Sequence, residues 1–105
     1  MDEAVLVYKN RTNVLRVSLG YDVSADTFES EIREKANVES LLIATWTASF
    51  LTDGTDGELV LTCDDSQLGA VTQKSGYMDI KRISNGEPLA LYAPVKVTFI
   101  DTVTA

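Results

Sequence analysis

The sequence contains no histidine, which removes the commonest general base and the commonest transition-metal ligand together. Zinc centres and serine–histidine nucleophiles are therefore not expected. It has a single cysteine, Cys63, so no internal disulfide is needed or available, and its place on the apolar phase of a strand makes it core filler rather than a nucleophile. No stretch approaches the ~20 apolar residues that cross a bilayer as a helix. The opening Met1-Asp2-Glu3 lacks the basic region and apolar run of a secretion signal, so a soluble product of a cytoplasm is expected. Positive charge is scarce: 9 basic side chains face 16 acidic ones, a net charge of -7. The basic residues do not cluster: six of the nine fall in separated pairs, Lys9 with Arg11, Arg33 with Lys35, and Lys81 with Arg82. Neither nucleic acid nor a membrane surface is an expected partner, because phosphate would be repelled by the net field.

What the chain does have is two-residue periodicity. Leu42, Ala44, Trp46, Ala48 and Phe50 alternate with Ile43, Thr45, Thr47, Ser49 and Leu51, as a strand with one buried face requires. Leu59, Leu61 and Cys63 repeat the pattern after Asp53-Gly54-Thr55-Asp56-Gly57. The two Asp-Gly steps tolerate positive φ, so this stretch is expected to be the central antiparallel hairpin. Trp46, the only tryptophan, offers the largest apolar area and should sit at the centre of the core.

Ala4 to Tyr8 and then Leu15, Val17 and Leu19 make the first two strands, separated by a turn at Lys9-Asn10-Arg11. Residues 28–36 fit two readings. Asp26 with Glu29 resembles a capping box, and Phe28, Ile32 and Ala36 share one helical face. Phe28, Ser30 and Ile32 also alternate with Glu29, Glu31 and Arg33, and the strand is preferred because it continues the rhythm of the chain. Asp64-Asp65-Ser66 should cap one helical turn ending at Gly69. A strand follows through Tyr77 to Ile83, and then an Asn85-Gly86 turn, a short extended piece with Leu89 and Leu91, and a last strand carrying Val95, Val97 and Phe99. This pattern predicts one all-β domain over 1–105, an immunoglobulin-like antiparallel β-sandwich of about seven strands. Gly76-Tyr77 falls where such sandwiches place a structural tyrosine, whereas alternation makes Met78 and Ile80 the buried pair; both readings stand at this point.

Candidate chemistry is thin. Asp53, Asp56 and Glu58 could form an oxygen cage for Ca²⁺, but Asp-Gly is ordinary hairpin vocabulary and the twelve-residue EF-hand spacing is missing. Asp64 and Asp65 could act as acid and base, although adjacent extended residues point apart and a helix cap accounts for them. Ser75 and Ser84 have no activating base. Glycoside hydrolysis needs two carboxylates ~5–10 Å apart across a cleft, and nothing in the pattern selects a pair. No catalytic, cofactor-binding or metal-ligating residue is assigned.

From Leu15 to Thr104 the chain resembles the small β-sandwich modules of tailed-phage proteins, above all the N-terminal domain family of the baseplate upper protein of lactococcal-type phages. The resemblance rests on Phe28-Glu29-Ser30-Glu31-Ile32-Arg33, the hairpin through Trp46, and Leu59-Val60-Leu61-Thr62. It continues in Gly76-Tyr77-Met78-Asp79-Ile80-Lys81 and in Asn85-Gly86-Glu87-Pro88 before the valine-rich final strand. It implies a non-enzymatic virion subunit without cofactors: a tail, baseplate or fibre-attachment connector held by contacts with other virion structural proteins and symmetry-related copies of itself. It also favours the strand at 28–33. In this family the module begins a longer protein, whereas the present sequence stops at Ala105, which points to a free-standing adaptor or decoration subunit. Ala93-Pro94 stands where the family commonly has glycine before the last strand. A capsid decoration protein is the alternative in the same class, and the terminal strands, Val5–Tyr8 and 95–103, are the expected contact surface. A carbohydrate-binding sandwich is the alternative from another class, with Tyr21 and Tyr92 as its outward aromatics.

Overall fold

The computed structural model describes residues 5–90 and 94–104; Leu91, Tyr92 and Ala93 lie outside the described residues, as do Met1-Asp2-Glu3, Ala4 and Ala105. The fold is the expected all-β sandwich, built from eight strands among the described residues: β1 (Val5–Tyr8), β2 (Asn13–Ser18), β3 (Thr27–Arg33), β4 (Leu42–Phe50), β5 (Glu58–Cys63), β6 (Ser75–Ser84), β7 (Glu87–Ala90) and β8 (Val95–Ile100). Residues 28–33 are strand, and the helical reading of 28–36 is not adopted. Pairing runs β1-β8-β6-β3-β4-β5-β2, with β7 beside the far half of β6. The pairs are antiparallel except β1 with β8, which is parallel.

β4 belongs to both layers. Its first half, through Trp46, pairs with β3, and its second half, Thr47 to Phe50, pairs with β5. One strand therefore turns the corner between the sheets, the way sandwiches pass a strand from one layer to the other. Near the start of β4 a bulge leaves Ile43 without a partner, since Ile32 faces Ala44 but Arg33 faces Leu42. That extra residue reverses the alternation, so Ile43 packs on the core while Leu42 points to solvent, contrary to the simple two-residue reading. Gly76 makes room for it: a Cβ there would lie 3.2 Å from Ile43 Cδ1 and 2.7 Å from the Arg33 carbonyl.

The core is continuous between the layers. Trp46, Ile32, Leu61, Cys63, Met78, Val97 and Phe99 are buried together, with Leu68 from the short connection after β5. Burial and the neighbouring Asp64 carboxylate push the Cys63 thiol up to about 11, which keeps it protonated and unreactive at neutral pH. Asp64 caps a single 3-10 turn at Asp65–Gln67 through a bond from the Ser66 amide. The neighbouring carboxyls influence each other, which raises Asp65 and lowers Asp64.

At two places a side-chain amide takes the role of a missing strand. Asn13 accepts from the Tyr8 amide at 2.9 Å and donates to the Tyr8 carbonyl at 2.9 Å. Gln67 does the same for Thr45, at 2.8 and 3.0 Å. Each satisfies backbone groups that a neighbouring strand no longer reaches.

Candidate functional site

Two surfaces emerge once the strands are placed. The first is a groove on the outer face of the sheet, over β3 and β6. Their register sets Glu29 opposite Lys81, Glu31 opposite Asp79, and Arg33 opposite Tyr77, which in turn faces Lys96 on β8. Antiparallel partners point to the same face, so these side chains stand together while Ser30, Ile32, Met78 and Ile80 point inward. Tyr77 is 37% exposed. The immunoglobulin-type structural role considered for Tyr77 is thereby corrected: alternation on β6 spends its inward positions on Met78 and Ile80.

The loop between β3 and β4, residues 34–41, forms one wall of this groove. It holds its own shape. The Glu34 amide bonds the Leu41 carbonyl at 2.9 Å, and the Ser40 hydroxyl accepts from the Lys35 amide while reaching the Lys35 and Asn37 carbonyls. Arg33 donates to the Ser40 carbonyl and to Glu31, both at 2.9 Å. Val38 at its tip is 82% exposed. Two adjoining cavities result, of about 140 and 370 Å³, sharing Glu31, Val38 and Asp79; Tyr77 and Pro94 line the smaller, Pro88 and Leu89 the larger. Most of the charges here are already matched: Lys81 meets Glu29 at 2.9 Å and Arg33 meets Glu31 at 2.9 Å. Asp79 has no ion pair among the described residues.

The second surface is the opening of the sheet. Among the described residues β1 and β2 are the two ends of the pairing order, so each presents an edge. Leu6 and Tyr8 on β1 are 51% and 44% exposed, and Val14 on β2 is 61% exposed. Among the described residues, Asn13 bridges the Lys9–Asn13 end of this opening. The last strand, β8, ends at Ile100 and, among the described residues, is paired by β1 from Val97 to Ile100 and by β6 from Val95 to Thr98.

The acidic residues singled out in the sequence serve the loops that carry them. Asp53 accepts from the Thr55 amide and hydroxyl, which hold its carboxyl below the usual range. Asp56 accepts from the Glu58 amide and the Thr52 hydroxyl, and Glu58 accepts from Ser18. Among the described residues no three potential ligands converge as a metal site would require. Tyr21 is exposed as expected, but the Arg82 guanidinium lies 5.3 Å from its ring centre, so one face is covered. Arg82 also meets the buried Asp26 at 2.6 Å, fixing the β2–β3 connection to β6. The Ser84 hydroxyl and then Arg82 hold the Asp26 carboxyl below its ordinary value.

Sequence reasoning missed the groove residues Glu31, Tyr77 and Asp79 as a set. Their strands lie more than forty residues apart in the chain, and only the β3–β6 register joins them. No protein-family model matches the chain, and no curated protein matches it.

Proposed function

We propose that the chain is a non-enzymatic structural subunit of a phage or prophage particle, a connector in the tail or baseplate that assembles with other virion proteins and with symmetry-related copies of itself. The observation that carries this reading is the opening between β1 and β2, where two edge strands expose Leu6, Tyr8 and Val14. An unpaired edge offers backbone groups to a partner strand, and apolar side chains beside it supply area to bury. Tyr8 is already occupied by Asn13, so the contact centres on Leu6 and on the outer edge of β2. The resemblance to phage sandwich modules supplies the class of assembly.

The test is incorporation. Particles are assembled with the wild-type chain, with Leu6→Lys and with Val14→Lys, both exposed positions whose substitution leaves the core alone. Loss of either variant from purified particles, with an unchanged melting temperature, supports the reading. Full incorporation of both overturns the assignment of this opening as the contact. The same comparison on purified heads and tails separates a tail connector from a capsid decoration protein.

A further inference from the structure

We propose that the groove over β3 and β6 binds an uncharged saccharide, with Tyr77 as the stacking platform and Glu31, Arg33 and Asp79 as its hydrogen-bonding partners. This goes beyond the structural role proposed above and does not depend on it. The floor of the groove disfavours one competing occupant. Among the described residues β3 is paired on both sides over Ser30–Arg33, by β4 and β6, and β6 is paired by β3 on one side and, on the other, by β8 over Ser75–Met78 and by β7 over Lys81–Ser84. This leaves little continuous backbone ladder for an added peptide strand and gives recognition chiefly to side chains.

Those side chains have the chemistry of a polyhydroxylated ligand. Donors and acceptors alternate, with Arg33 beside Glu31 and Lys81 beside Glu29 as ion pairs. Their charges are matched in place, which leaves little net attraction for a strongly charged ligand of either sign. Asp79 is the acceptor without an ion pair among the described residues, and it stands between the two cavities. Hydroxyl groups satisfy a mixed row of this kind because each both donates and accepts. Tyr77 contributes an aromatic surface whose negative π-face attracts the polarised C–H bonds of a sugar ring. The larger cavity, about 370 Å³, falls at the lower end of the roughly 300–1,000 Å³ of small-ligand pockets, and the smaller, about 140 Å³, adjoins it. Two adjoining hollows suit two successive ring units. Pro88 and Leu89 give the second hollow its apolar margin.

The experiment takes the full chain through an array of neutral and acidic glycans, followed by amide-shift titration with the strongest binder and with glucose, galactose and N-acetylglucosamine as fixed probes. Binding of neutral glycans with shifts confined to the groove, at Glu31, Arg33, Val38, Tyr77, Asp79 and Leu89, is expected. Tyr77→Ala should weaken it about three- to tenfold, the worth of one aromatic contact. Tyr77→Phe should retain it, and Tyr21→Ala should leave it unchanged. Both tyrosines are exposed, so the variants keep the fold, checked by the same spectra. No binding on the array or to the three sugars overturns the proposal. So does a preference for acidic glycans, or binding that survives Tyr77→Ala and Asp79→Ala together. Failure here leaves the incorporation test of the subunit role untouched, and loss of incorporation leaves this one untouched.

Discussion

The loops at the two ends of β4 are held in opposite ways. The connection to β5, residues 51–57, is tied to a distant segment: the Val23 amide bonds the Gly54 carbonyl and the Leu19 amide bonds the Gly57 carbonyl, both at 2.9 Å. Its glycines are forced by that contact as well as by their positive φ, because a Cβ on Gly57 would sit 2.5 Å from the Tyr21 carbonyl oxygen. The connection from β3, residues 34–41, bonds chiefly to itself and turns its tip outward over the groove. The first loop stabilises the sandwich; the second is free to present side chains. A loop fixed by its own bonds can vary its exposed tip without unfolding the domain, which suits it to recognition.

Four substitutions test that contrast. Gly57→Ala should cost about 2–5 kcal/mol by denaturant unfolding, combining left-handed strain with a backbone collision that cannot relax; a cost near zero would mean the two loops are not packed as described. Asp26→Asn should lower the melting temperature clearly, since it leaves Arg82 without its closest carboxylate. It should also flatten the acid limb of the stability profile. The folded Asp26 carboxyl is depressed below its ordinary value, so its contribution is complete above about pH 4 and is lost as pH falls through the folded value. Wild type should lose stability on that descent more steeply than the variant. Ser40→Ala removes the hydroxyl that closes the outer loop and should cost about 1 kcal/mol, while changing amide shifts throughout 34–41. Val38→Ala should fall within about 0.5 kcal/mol of wild type, and any effect it has should appear only in ligand binding.

The contrast also marks what the sequence could reveal. The hairpin through Trp46 was legible because period and turn chemistry are local, and the Asn85-Gly86 turn likewise, with φ of 53° and 79°. The reason Gly57 must be glycine was not legible, because the colliding atom belongs to Tyr21, thirty-six positions earlier. Asp26 looked like a helix cap for the same reason: its partner Arg82 is 56 residues away, and nothing near Asp26 announces an ion pair. Leu42 was misplaced by a bulge, which inserts one residue and so defeats any reading by alternation. The groove suffered most. Its members are individually unremarkable surface residues, and the register between β3 and β6 alone makes them neighbours.

The subunit role is tested most directly by the copy number of this chain in purified particles, measured by quantitative mass spectrometry. A small multiple of three or six per particle is predicted, following the symmetry of a tail or baseplate. Absence of the chain from the particle would contradict it.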